Sequence, residues 1–142
     1  MVQGYLGKIS GPLLDRIDLH IEVTPVEYGS LASEIQSESS VMVRKRVMKA
    51  RDMQLKRFEE VDNVYSNAQM NSKMIHQFCK IPKEGKDLLK LAMNKLNLSA
   101  RAYTRILKMA RTIADLEVQE EIDAGHISEA IQYRSLDKEM WG

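Results

Sequence analysis

Cysteine is almost missing from this sequence. Cys79 stands alone, so no internal disulfide can form, and a reduced, cytoplasmic setting is the expectation. His20, His76 and His126 are the only histidines, and none has the spacing to other ligands that a metal site requires, so no metal is expected on this chain. Aromatic residues make up 6%, too few to read as the core of a sandwich. No apolar run approaches the ~18 residues of a membrane span, and Met1 to Gly11 hold no apolar run behind a basic start, so no membrane partner is expected. The formal net charge is +1, which gives no reason by itself to invoke nucleic acid. The phosphate loop G-x-x-x-x-G-K-[ST] is absent, and no lysine is followed by Ser or Thr. No nucleophile has a base at a familiar spacing, and Cys79 beside Phe78 reads as a small core residue. The chain alone is therefore not expected to be an enzyme.

What is present suits one packed domain. The chain has 142 residues, 44% of them hydrophobic and 29% charged, enough to bury a core without covalent staples. From Ile17 to Val23 apolar and polar residues alternate strictly, predicting a strand with one buried face that Thr24-Pro25 ends. No second alternating segment follows. A lone strand makes no sheet, so its partners are expected from sequence outside these residues or from another chain.

The remainder has helical periodicity. A helix is predicted over about Ser39 to Glu60, then a polar connection from Val61 to Met70. Asn71 or Ser72 caps a short helix to Cys79, and Pro82 suits the first turn of the next. Ser99 caps the most regular helix, to about Glu117, and Asp123 caps a last one through Tyr133. The fold expected is mainly α, about five helices preceded by one short strand.

Within the helix after Ser99, steps of about 100° per residue put Tyr103, Ile106, Leu107, Ala110, Ile113 and Ala114 on one arc. Arg101, Arg105, Lys108 and Thr112 fall opposite. Arg101 lies in the first turn, where unpaired N–H groups and the helix dipole favour an anion, so a phosphate there would meet a guanidinium as well. The alternative is a solvated basic face. Arg16 sits between a turn and the alternating segment, where it is either held out toward a neighbouring phosphoryl group or paired on the surface with Asp15 or Asp18. Seven basic residues crowd Arg44 to Arg57, and Arg44, Lys45 and Lys49 are candidates for nucleic-acid contact. They are spread around the helix with no aromatic among them, which weakens that reading.

Three runs carry a resemblance that covers nearly the whole chain in order: Lys8 to His20 (K-I-S-G-P-L-L-D-R-I-D-L-H), Leu98 to Leu107 (L-S-A-R-A-Y-T-R-I-L), and Ala110 to Leu116 (A-R-T-I-A-D-L). With His126 to Arg134, they closely resemble the magnesium-chelatase-like AAA+ ATPases of the ComM family. The resemblance implies that residues 1–27 are the C-terminal end of an AAA+ core and residues 28–142 its helical lid. It implies that Arg16 is the arginine finger acting in trans on the next subunit's ATP, and that Arg101 is the second sensor arginine facing its own. The phosphate loop, the acidic Mg²⁺ motif and the first sensor would lie upstream, so the chain is expected to be a cut piece of an ATPase. ATP and Mg²⁺ would be the cofactors of the parent protein. The partners implied are the AAA+ core of the same protein and neighbouring subunits of a homo-oligomeric ring, with DNA branch migration as the parent's work. The competing reading is a free-standing helical nucleic-acid-binding module using Arg44, Lys45 and Lys49.

Overall fold

Short polar side chains start the helices where the sequence offers them. The computed structural model describes residues 13, 16–21, 23, 25 and 37–139, with 135–139 described by their backbone alone. Helix α1 spans Ser40–Arg57, and the Ser39 hydroxyl accepts the Met42 N–H at 3.4 Å. After a 3₁₀ turn at Asn67–Gln69, Asn71 rather than Ser72 caps α2, Ser72–Phe78, accepting the Met74 N–H at 3.0 Å. Pro82 is the N-cap of α3, Lys83–Lys95. Ser99 caps α4, Ala100–Leu116, accepting the Ala102 N–H at 3.2 Å. The last helix, α5, runs over Ala124–Glu139, six residues past the predicted end at Tyr133. At its start the Asp123 carboxylate accepts the His126 N–H at 2.9 Å, and His126 Nδ1 accepts the Asp123 N–H at 3.0 Å. This is a reciprocal capping box with histidine in the place usually taken by Glu or Gln.

Helix α4 is the hub. It packs against α5, α1, α2 and the 3₁₀ turn, while α3 packs on α5. Ile106, Ala110 and Ala114, one turn apart, are 0% exposed, as are Ile127 and Ala130 of α5. Tyr103, read onto the core arc, is instead 37% exposed. Phe58 at the end of α1 meets Phe78 of α2 edge to face, with centroids 5.4 Å apart. Helix α4 ends in a Schellman turn: the Gln119 N–H reaches the Ala114 carbonyl at 2.8 Å and the Val118 N–H the Asp115 carbonyl at 3.1 Å. That turn puts Val118 at φ 59°, a region costly for a β-branched residue.

The predicted strand is not formed among the described residues, which contain no strand at all. Ile17, Leu19, Ile21 and Val23 are all at least 37% exposed. The reason is the one that made the expectation conditional: among the described residues no second extended segment lies beside this one to complete a ladder.

Beneath α4 lies a polar knot that periodicity did not predict. Asp115, 0% exposed, receives a two-pronged bond from Arg57 of α1, Nη1 to Oδ2 at 2.8 Å and Nη2 to Oδ1 at 2.5 Å. Arg111 Nε adds a bond at 3.2 Å and Asn67 Nδ2 one at 2.8 Å. Arg111 also donates to the carbonyls of Gln119 at 2.6 Å and Glu120 at 2.7 Å, holding the Schellman turn. Gln54 Oε1 accepts the Asn67 N–H at 3.2 Å. Burial lowers the Arg111 pKa from its ordinary value, the Asp115 carboxylate opposes that, and Arg57 adds to it.

Two predictions follow from this packing. Asp115→Ala leaves two arginines without their shared buried counter-ion and should destabilise the chain by ~3–5 kcal/mol, read as a lowered urea midpoint. A midpoint unchanged from the parent would show that the knot contributes nothing net. Cys79 is 5% exposed, and burial pushes its thiol up to about 11, with Arg111 and Arg57 pulling weakly the other way. At pH 8 its thiolate should be on the order of a hundredfold scarcer than that of a free cysteine. Alkylation by iodoacetamide should therefore be slow in the native chain and become fast only in denaturant; rapid native labelling is the contrary result.

Candidate functional site

The N-terminal half of α4 forms one wall of a cleft of about 400 Å³, lined by Asp18, Ala68, Arg101, Arg105, Lys108 and Thr112 among others. Four of these residues are the polar stripe read from the sequence, and the structure sorts them by what they touch. Lys108 Nζ donates to the Ala68 carbonyl at 2.8 Å, which ties α4 to the 3₁₀ turn. Thr112 donates to the Lys108 carbonyl at 2.9 Å and accepts from Asn67 Nδ2 at 3.1 Å. Arg105 Nη1 donates to the Arg16 carbonyl at 2.5 Å and pairs with the Asp18 carboxylate. Arg101 is exposed, and its side chain has no hydrogen bond or ion pair among the described residues. Only its carbonyl is used, by Thr104 Oγ1 at 2.9 Å.

Local chemistry explains that division. Ser99 satisfies the Ala102 N–H, so the Arg101 side chain leaves the helix in the first turn. There the dipole repels a cation and favours an anion beside it. A guanidinium in that position, with no side-chain partner among the described residues, has two electrostatic reasons to meet a phosphate. Farther along the helix that bias fades, and Arg105 and Lys108 are spent on fixing backbone.

Arg16 lies in a turn, its N–H donating to the Leu13 carbonyl at 2.9 Å, and its side chain is exposed. The surface pair with Asp18 is not what forms, because Arg105 holds that carboxylate. Asp15 lies outside the described residues. Arg16 and Arg101 are thus two exposed arginines on segments joined by Arg105.

Of the basic run in α1, Arg44, Lys45 and Lys49 are exposed. Arg46 forks onto Glu38 at 2.7 and 3.1 Å, and Arg57 belongs to the buried knot. Of the seven basic residues in that run, Arg57 is therefore not a surface cation. Helical position does not distinguish it from Lys56, and the information that does is Asp115, 58 residues away. Arg105 is the functional candidate that pattern alone missed, since its partners are a carbonyl and a carboxylate far off in sequence. Among the described residues no group of three or more His, Cys, Asp or Glu side chains is placed to hold a metal ion, and no helix is long and apolar enough to cross a membrane.

The chain is similar to known proteins over nearly its whole length. Residues 37–134 match the family model described as magnesium chelatase, subunit ChlI C-terminal, and residues 1–31 match that of magnesium chelatase, subunit ChlI. The competence protein ComM of Haemophilus influenzae is 43% identical over 136 residues, 95% of this chain and 26% of that protein. A protein called YifB from Escherichia coli is 42% identical over 94% of the chain and 26% of its own length. Its counterpart in Salmonella typhimurium is 37% identical over the same shares. The chain thus spans about a quarter of the length of these relatives.

Proposed function

Because the chain belongs to the magnesium chelatase ChlI C-terminal family, we propose that it serves as the C-terminal part of a magnesium-chelatase-like AAA+ ATPase, residues 1–27 closing the ATPase core and residues 28–142 forming the lid. Arg101 carries the reading: an exposed first-turn arginine on a cleft whose other cations are engaged. It is assigned as the second sensor, meeting the γ-phosphate of its own subunit's ATP. Arg16 is assigned as the finger that reaches the ATP of the next subunit in a homo-oligomeric ring, where a planar, always-charged fork can stabilise developing phosphoryl charge.

ATP and Mg²⁺ belong to the complete enzyme. The Arg101 side of the cleft suits a phosphate. No acidic cluster among the described residues suits the cation, so its ligands are assigned to the rest of the enzyme. A DNA motor, with branch migration as its work, is the parent function we favour, in keeping with a competence protein among the relatives. The free-standing nucleic-acid module is the weaker reading, because two of the seven α1 cations are engaged with acidic partners and no aromatic residue interleaves the others for base stacking.

In the complete ATPase, Arg101→Ala should lower turnover with folding intact, since the side chain is exposed. Arg16→Ala should leave nucleotide binding nearly unchanged and lower turnover by up to ~1,000-fold. Mixing is the stringent check: subunits with a dead phosphate loop and normal Arg16 should restore part of the activity of Arg16→Ala subunits. Mixed rings that form without any recovery would return Arg16 to an ordinary surface role. The 142-residue chain alone should show no ATP turnover above background. It should bind DNA no better than micromolar at physiological salt, the non-specific range. Nanomolar binding abolished by neutralising Arg44, Lys45 and Lys49 would instead favour the free-standing module.

A further inference from the structure

Residues 16–20 are held by two helices at once. From α4, Arg105 donates to the Arg16 carbonyl at 2.5 Å and pairs with Asp18. From α5, the side chain of Arg134, itself 2% exposed, donates to the Ile17 carbonyl, and the Tyr133 carbonyl accepts the His20 N–H at 3.0 Å. Two consecutive carbonyls are thus gripped by two arginines from different helices. The Arg105 side chain is only 22% exposed, so its bonds compete with water less than those of a fully exposed pair. Arg101 lies four residues before Arg105, about one turn along the same helix, and lines the same cleft as Asp18.

We propose that Arg105 is a positioning residue that couples the two nucleotide-facing arginines, transmitting movement of the Arg101 end of α4 to the backbone of Arg16. This rests on the reading of Arg101 as sensor and Arg16 as finger. The atom Arg105 holds is Arg16's own carbonyl, so a shift of α4 displaces the root of the Arg16 side chain directly. The α5 contacts make residues 16–20 move with the lid, and Arg105 sets where along that segment Arg16 stands. One nitrogen of Arg105, Nη1, serves carbonyl and carboxylate together, so both acceptors follow the same end of the guanidinium. An ATP that draws in Arg101 would thereby place Arg16 for the next subunit, and displacements of about 1 Å are enough to alter turnover strongly.

The test uses the complete ATPase with Arg105→Gln, Asp18→Asn and the double variant. Arg105→Gln should lower kcat by ~10- to 100-fold with KM for ATP unchanged. Asp18→Asn, an exposed change that spares the fold, should do less, and the double variant no worse than Arg105→Gln. On an Arg16→Ala background Arg105→Gln should add no further loss, and loop-dead subunits carrying normal Arg105 should restore activity in trans. Full additivity with Arg16→Ala, normal turnover, or a raised KM alone would overturn the coupling. Hydrogen exchange on the same protein separates the causes. Faster exchange at His20 in Arg105→Gln with normal turnover in Arg16→Ala means the contact exists but the finger reading fails, and the coupling with it. Unchanged exchange throughout residues 16–20 means that Arg105 does not hold the segment, and the coupling fails.

Discussion

Asp115 is the constraint around which the bundle is arranged. A carboxylate with no solvent exposure is costly unless its charge and lone pairs are met, and here Arg57, Arg111 and Asn67 meet them from three directions. The partners come from α1, from α4 itself and from the 3₁₀ turn, so satisfying one side chain fixes the relative placement of all three. Apolar contact alone is non-directional and specifies the register of α1 on α4 less sharply. A two-pronged arginine bond cannot slide. The knot also reaches outward: Arg111 holds the carbonyls that let Val118 stay in a strained turn, and Asn67 touches Thr112 on the cleft wall.

The same knot determines which cations of α4 remain available. By placing the 3₁₀ turn beside α4, it brings the Ala68 carbonyl to Lys108 and removes that lysine from the surface pool. Residues 16–20 do likewise with Arg105. What remains is Arg101, nearest the helix start, where the dipole disfavours a cation without an anion beside it. Selection by neighbours, rather than any property of the stripe itself, leaves Arg101 as the cation of that stripe with no side-chain partner among the described residues.

Helix positions were legible because their signals are local. Ser39, Asn71 and Ser99 cap within three residues of themselves, and Ile106, Ala110 and Ala114 repeat with the turn of the helix. The core arc of α4 was read too narrowly. Packing against α1, α2 and α5 buries well over half its circumference, so Arg111 and Asp115 on the flank of that arc are interior. A charged residue beside a core stripe looks solvated until the residue opposite it is known, and Arg57 lies 58 residues from Asp115. Arg101 was legible because a helix N-terminus is also a local feature. Arg105 was not, because its partners lie 87 and 89 residues away.

The alternating segment shows how far local pattern extends and where it stops. Alternation predicts a one-sided environment that Ile17, Leu19, Ile21 and Val23 do not have here, because a strand is a relation between two segments and cannot be made by one. Among the described residues, the backbone groups that a ladder would pair are met partly by other means: two arginine side chains on the Arg16 and Ile17 carbonyls and the Tyr133 carbonyl on the His20 N–H. Those substitutes satisfy the backbone without covering the side chains, which is why Ile21 and Val23 stay exposed at 67% and 87%. Side-chain donors also tie the segment to movable rotamers rather than to a rigid sheet. A segment held in that way can follow the helices that grip it, and this is the physical property that the proposed coupling of Arg101 to Arg16 requires.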